Sequence, residues 1–362
     1  MKKMKFGQII MFLIWLAIGA AGGYLLASYI NEHDYSFLQL LYSFVWLMVG
    51  YFIGIIIHES GHLVAGLKSK YEFVSFRIGS MTWIKEDGKL KKKKFNIAGT
   101  GGQCVMMPPD SNRPEDVPFV LYNLGGGLFN LITAAIFIPL GILIPNFYFS
   151  MPLFMLGAAS VVQGVINLIP LNLQVPNDGY NIVNLSRKKA ERVLLYKQLR
   201  INGLLYKGLP PSEIPEKMFD FGEESHGLGE LLKASLYIDK KDFNTAQKLV
   251  VSAIDSGKLL SIYEYEAKSE LLFCKIMNGA SENEINELYD KTLKKYITDS
   301  AKTQIAKRRI LYAYNFLYKK DNAAAQREYE AAMAMKETYP SAGELKSELS
   351  IIEYIKNVKT PI

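Results

Sequence analysis

Cysteine and histidine are scarce in this chain of 362 residues. Its two cysteines, Cys104 and Cys274, lie far apart, and neither belongs to a C-x-x-C pair. That leaves no basis for a disulfide framework and fits two ordinary thiols in a reducing compartment. A phosphate-binding loop is also missing. Ile97-Ala98-Gly99-Thr100-Gly101-Gly102-Gln103 is glycine-rich but lacks the Lys-Ser/Thr ending that such a loop needs. Repeated transmembrane halves, common in transporters, are not visible. The formal net charge of +7 suggests nucleic acid at first sight. Much of the excess, however, sits in short segments beside apolar runs, where basic residues orient a membrane protein and form no nucleic-acid-binding face.

What is present is apolar sequence, unevenly spread. Hydrophobic residues make up 49% of the chain. Long apolar runs fill the first half, and the second half alternates apolar with charged residues. Four segments are long enough to span a bilayer: about 7–30, 37–66, 117–145 and 150–171. The start, Met1-Lys2-Lys3-Met4-Lys5, has the look of a secretory signal, but the apolar run behind it is long for one, so a retained helix is expected. Lys2, Lys3 and Lys5 place the N-terminus in the cytoplasm by the positive-inside rule. The loops Asn31-Glu32-His33-Asp34 and Pro145-Asn146-Phe147 carry no Lys or Arg and belong outside. Lys68, Lys70, Lys85, Lys89 and Lys91 to Lys94, and later Arg187, Lys188, Lys189 and Arg192, belong inside. Every loop fits one topology, with both termini cytoplasmic in a cell membrane.

The expected fold is an α-helical polytopic membrane protein of about four transmembrane helices with a small cytoplasmic β insert, followed by an all-α, repeat-like soluble domain. Residues 1–35 hold the first span, and residues 36–185 a membrane core with the β insert at 67–116. In that insert Val74 to Gly79 alternates like a strand, and Asp87-Gly88 signals a turn. Residues 186–225 continue an amphipathic basic stretch, seen from about 181 to 208 and expected along the membrane face, into a linker marked by Pro210, Pro211 and Pro215. Residues 226–362 read as helical hairpins. Lys241-Asp242-Phe243-Asn244-Thr245-Ala246-Gln247 echoes Lys320-Asp321-Asn322-Ala323-Ala324-Ala325-Gln326, with a turn at Gly279-Ala280-Ser281 between them. Helix pairs repeating every ~40 residues follow, loosely similar to tetratricopeptide repeats, which bind peptides or proteins on a concave face. A plain helical bundle is the simpler alternative.

The chemistry-bearing pattern is His58-Glu59-Ser60-Gly61-His62, inside the second span. Residues four apart share a helix face, so His58 and His62 can offer two imidazole nitrogens to one metal ion. Glu59 is placed to take a proton from a water that zinc has acidified. Ionisable residues within a membrane helix are costly, about 2.5–3.5 kcal/mol for a residue such as Asp at the helix centre, so this set needs a function. A catalytic zinc takes three protein ligands and keeps one position open. His33 and His226, the remaining histidines, are poorly placed. Asp178, just past the fourth span and followed by Gly179, is the candidate third ligand. It is equally well read as a cap of the helix that follows.

These residues resemble the site-2-protease type of intramembrane zinc metalloprotease over roughly residues 45–185. His58-Glu59-Ser60-Gly61-His62 is similar to that family's metal-binding helix. Asn167-Leu168-Ile169-Pro170 with Asp178-Gly179 is similar to its Asn-x-x-Pro and Asp-Gly segment. Gly126-Gly127-Leu128-Phe129-Asn130 is similar to its Gly-x-x-x-Asn motif. The resemblance implies Zn2+ held by His58, His62 and Asp178, with Glu59 as general base. It also implies substrate contacts from Gly126, Asn130 and Asn167, and a sheet edge that pairs with substrate backbone. In the family the Pro and the Asp stand closer together, Leu is usual at Asn177, and a second Gly is frequent at Tyr180. Helix packing is the plainer reading of Gly125 to Gly127, and a hydrogen bond to a neighbouring helix the plainer reading of Asn130. The expected partners are the lipid bilayer, a membrane-spanning protein or peptide substrate, and a protein or peptide on the C-terminal domain, with no nucleic acid. The rival reading is a membrane-anchored binding module whose metal site is structural or vestigial.

Overall fold

The computed structural model describes residues 35–86, 88–95, 101–171, 176–222 and 227–357. The first expected span, His33 and His226 lie outside the described residues. Three helices in the described residues are long and apolar enough to cross a membrane, with mean hydropathy of 2.2, 2.0 and 1.7. They are α1 (Phe37–Lys68), α2 (Val120–Leu143) and α3 (Phe147–Leu168). The last two are shifted slightly from the expected 117–145 and 150–171. Pro118 delays α2, since the residue before a proline avoids helical geometry. Asn146 starts α3 early by accepting a hydrogen bond from Tyr148 N at 3.0 Å. Ser36 and Gln39 close a capping box on α1. The outward faces of these helices are apolar, with Phe37, Phe149, Ile142 and Leu143 all largely exposed.

The inward face of α1 is set by its sequence. Gly50, Gly54, His58 and His62 recur every four residues and fall on one stripe. At its glycines there is no room for a side chain. A Cβ on Gly50 would lie 3.0 Å from Leu156 Cα, one on Gly54 would strike the Gln163 carboxamide, and one on Gly61 would strike the Gly125 carbonyl. Lipid tails give apolar helices little reason to associate, so close backbone approach of this kind carries much of the packing. Hydrogen bonds add to it. Asn130 Nδ2 on α2 donates to Gln163 Oε1 on α3 at 3.2 Å, and Gln163 Nε2 donates to Tyr51 O on α1 at 2.7 Å. Each such bond is worth about 0.6 kcal/mol on average in a membrane.

Between α1 and α2 lies an antiparallel sheet of four strands: β1 (Glu72–Ile78), β2 (Met81–Glu86), β3 (Lys89–Lys94) and β4 (Gly102–Met107), ordered β3-β2-β1-β4. Gly88, at φ +75°, turns β2 into β3. Lysine-rich β3 forms one edge, a composition that discourages pairing with another chain. β4 forms the other edge and packs on α1.

The basic stretch after the core is two helices, α4 (Asp178–Arg187) and α5 (Lys189–Tyr206), broken at Lys188. α5 packs against β4, with Gly203 against Met107. The proline-marked linker is packed too. Ile214, Met218 and Phe219 share one core with Tyr71, Met106, Tyr196, Ile201 and Leu236. Burying those apolar side chains, at roughly 25 cal/mol per Å2, ties sheet, α5 and the C-terminal helices together.

The C-terminal part is all helical: α6 (Leu228–Asp239), α7 (Phe243–Asp255), α8 (Ser261–Met277), α9 (Glu282–Leu288), α10 (Lys291–Ser300), α11 (Ile305–Ala313), α12 (Asn322–Ala334) and α13 (Ala342–Asn357). The two echoing segments fold alike. Lys241 and Lys320 both adopt positive φ, 63° and 54°. The aspartate that follows each caps the next helix: Asp242 accepts from Thr245 N at 3.0 Å, and Asp321 accepts from Ala324 N at 2.8 Å.

Candidate metal centre

His58 and His62 project from the inward stripe of α1, and Asp178 is the first residue of α4. The three meet. His58 Nε2 and His62 Nε2 are 3.1 Å apart, and Asp178 Oδ2 is 3.3 Å from each. A tetrahedral zinc with ~2.0 Å bonds separates its ligands by about 3.3 Å, so the donor triangle has the right size. Among the described residues this is the one group of three His, Cys, Asp or Glu whose ligand atoms converge in this way. Asp178 Oδ2 is buried and accepts no hydrogen bond of acceptable geometry. A buried carboxylate oxygen without a donor is costly, and a cation at the triangle's centre satisfies it. The donor set of two imidazoles and one carboxylate suits zinc.

Neighbouring groups fix the ligands. His62 Nδ1 lies 2.8 Å from Tyr122 O. A carbonyl only accepts, so Nδ1 carries the hydrogen and Nε2 turns its lone pair to the triangle, the orientation common in metal-ligating histidines. Tyr122 is held in turn: its hydroxyl donates to Cys104 O at 3.1 Å, and its ring stacks on Tyr71 at 5.0 Å between centroids. Tyr71 donates to Pro118 O at 2.8 Å.

Gly126 sits on the opposite side. A Cβ there would lie 2.6 Å from His62 Nε2 and 2.7 Å from His58 Nε2. Its place in the molecule is therefore against the imidazoles, and any larger residue would push into the donor triangle. Gly125 packs on Gly61 and Ala65, and Gly127 on Leu168.

Asp178 is delivered by Asn177. One carboxamide makes four hydrogen bonds. Nδ2 donates to Ile166 O at 2.6 Å and Ile169 O at 2.7 Å, both at the end of α3. Oδ1 accepts from Leu171 N at 3.1 Å and from Tyr180 N at 2.9 Å. The side chain thus terminates α3 and starts α4 at once. Gly179 completes the join, since a Cβ there would strike Leu168 O. The sequence showed Asn177 only as a departure from a familiar pattern. Its cap on Tyr180 N is a local pattern, but its bonds to Ile166, Ile169 and Leu171 reach up to 11 positions away, and no local signal encodes those.

Glu59 faces β4. A Cβ on Gly102 would lie 2.8 Å from Glu59 Cγ and 3.0 Å from its Oε1. Beneath this strand Arg77, 1% exposed, donates to Gly79 O at 2.8 Å and to Gly102 O at 3.4 Å. This buried cation near the Glu59 segment of β4 was not singled out in the sequence. Burial pushes the Cys104 thiol up to about 12, so it stays protonated at neutral pH.

The remaining expected site residues lie further along the helices. Asn130 is fully buried and its Nδ2 is taken by Gln163, while its Oδ1 has no partner. Asn167 is half-buried and donates to Gln163 O, one turn back in its own helix, at 3.0 Å. Gln163, which joins α1, α2 and α3, was not singled out in the sequence, because a lone glutamine in an apolar run carries no motif.

No family model matches this chain, and neither a curated protein nor a solved structure is similar to it by sequence or fold comparison.

Proposed function

We propose that this protein is a multi-pass intramembrane zinc metalloprotease that hydrolyses a peptide bond in a membrane-spanning segment or signal-peptide remnant. The observation that carries this reading is the convergence within 3.1–3.3 Å of Asp178 Oδ2 with His58 Nε2 and His62 Nε2, the two histidines being next to Glu59 on a helix apolar enough to cross a membrane. A bound zinc ion supplies Lewis acidity, polarising the scissile carbonyl and making water a competent nucleophile near neutral pH. His58, His62 and Asp178 are the residues that would hold it. Glu59 takes the proton from the attacking water and returns it to the leaving amine nitrogen. Glu59 packs against Gly102 of β4, beside the donor triangle. Gly102 and Gln103, at the free edge of β4, offer backbone groups to an extended substrate, whose own helix must open first because a helical peptide bond is already hydrogen-bonded.

The full topology in this reading has four spans, with the sheet and both termini in the cytoplasm of a bacterial plasma membrane. The C-terminal helices form a repeat-like array that selects substrates or partners. The test compares membranes and released peptides from cells with the wild-type chain and with Glu59→Gln, by quantitative proteomics. Single-span proteins or signal peptides that accumulate intact only in the variant support hydrolysis and name the substrate. Identical profiles, together with a phenotype on removing residues 226–362, favour an anchored binding module instead.

A further inference from the structure

A groove runs between α4–α5 and the C-terminal helices. Its first section, about 440 Å3, begins at Pro176 and Tyr180, which bracket Asp178. A second section of about 290 Å3 continues it, with Gln198, Leu228 and Tyr263 lining both. The far end is walled by Glu266, Glu270, Glu344 and Glu348, with Arg309 among them.

The charges there do not balance. Lys307 Nζ is 2.6 Å from Glu266 Oε1 and 3.9 Å from Glu270 Oε1. Arg309 donates through Nη2 to Glu270 Oε2 at 2.7 Å and through Nε to Glu348. Glu344 accepts from the Tyr339 hydroxyl at 2.7 Å but forms no ion pair among the described residues. Four carboxyl groups thus share two cations. Burial raises Glu344 and pushes Glu348 up to about 7, as expected of carboxyl groups short of counter-charge. Arg309, 1% exposed, also lines this section with an Nη1 that has no hydrogen-bond partner. The site therefore lacks two things, a further cation among the carboxyl groups and an acceptor for the guanidinium. A peptide with a basic side chain supplies both, the second through a backbone carbonyl. The section nearer Asp178 differs: Lys188 and Lys258 outnumber Glu191 there. Net negative charge is found only at the far end, so the basic residue recognised lies some way along the chain from the metal centre.

We propose that this groove receives the cytoplasmic tail of the membrane-spanning substrate, and that the Glu266–Glu270–Glu344–Glu348 cluster holds a lysine or arginine of that tail. The proposal rests on the protease reading for its substrate. Segments on the cytoplasmic flank of a span carry excess Lys and Arg, so this is the chemistry such a substrate presents.

The test uses the full chain carrying Glu59→Gln, in detergent micelles, with a fluorescent, end-blocked octapeptide bearing one arginine and a twin bearing uncharged citrulline. The expected result is roughly tenfold tighter binding of the arginine peptide, the scale of one good charged contact. Glu344→Gln keeps an acceptor for the Tyr339 hydroxyl and is expected to remove the preference without lowering the melting temperature. Leu228→Trp narrows the junction of the two sections without touching a charge, and is expected to weaken binding of the arginine peptide. Equal binding of both peptides by the parent chain, or a preference that survives in both variants, overturns the proposal. Because the readout is binding by a chain without its general base, a failure to find hydrolysis bears on the proposed activity and leaves the groove to be judged separately.

Discussion

Asp178 and Glu59 are both carboxylates at one centre, yet their surroundings assign them different work. Asp178 Oδ2 closes the donor triangle, and Glu59 stands outside it against β4. Asp178→Ala is therefore expected to lose bound zinc, and Glu59→Gln to keep it while peptide cleavage falls by about 10²–10⁴-fold. Metal analysis of the purified variants beside a reporter-cleavage assay separates the two, and zinc loss in Glu59→Gln would contradict the assignment. Asn177 belongs at the same scale. Asn177→Ala removes four hydrogen bonds that join α3 to α4. Zinc affinity should drop by roughly 10–100-fold, the usual cost of losing a group that orients a ligand. Asn177→Asp should not rescue it, because a carboxylate cannot donate to Ile166 O and Ile169 O. Competition with a chelating dye measures both, and wild-type affinity in Asn177→Ala would show that the Asp178 position is set elsewhere.

Helix α2 meets its neighbours through three consecutive glycines, two facing α1 and one facing α3. Gly125 allows α1 to approach, Gly126 clears space for two imidazoles, and Gly127 accepts the end of α3. Gly126→Ala places a methyl group 2.6–2.7 Å from both Nε2 atoms. The rings must move by several tenths of an ångström, which metal coordination tolerates poorly. Zinc content is expected to fall while the helical circular dichroism signal is kept. A variant with full zinc would mean that α2 shifts as a unit to make room. The motif resemblance made Gly126 a substrate contact. Its position beside the histidines makes it a spacer for the two imidazoles as well.

At the scale of the whole molecule, the buried carboxyl groups of the C-terminal helices couple stability to pH. Glu348 is pushed up from 4.5 to about 7 by burial, and Glu344 is raised for the same reason. A carboxyl group with a raised folded pKa binds more protons in the folded state than in the unfolded one. Its contribution is full below about 4.5 and is lost as pH rises through about 7. Glu266, lowered on balance because its ties to Lys307 and Tyr296 outweigh burial, acts in the opposite sense, but only below its ordinary range. The melting temperature of the detergent-solubilised chain should therefore fall between pH 5.5 and 8, and Glu348→Gln should flatten that slope. A melting temperature that rises across the window would show that Glu348 is fully ionised in its pair with Arg309.

Much of this was legible in the sequence, and the boundary has a physical basis. Apolar length marked α1, α2 and α3 to within a few residues, because a bilayer fixes the length of what crosses it. Fourfold spacing put His58 and His62 on one face, because helix geometry is local. The echo between Lys241-Asp242 and Lys320-Asp321 marked two turns of the same geometry, because capping is local as well. The sequence offered Asp178 as a ligand or a helix cap, and the tertiary structure brought it to the histidines; the tertiary structure alone decided that Asn177 holds it there and that Arg77 on β1 bonds to the strand facing Glu59. It alone decided that the supposed linker is core and that four glutamates meet at the end of one groove. Those facts depend on contacts between residues distant in the chain, and no spacing rule or propensity encodes them.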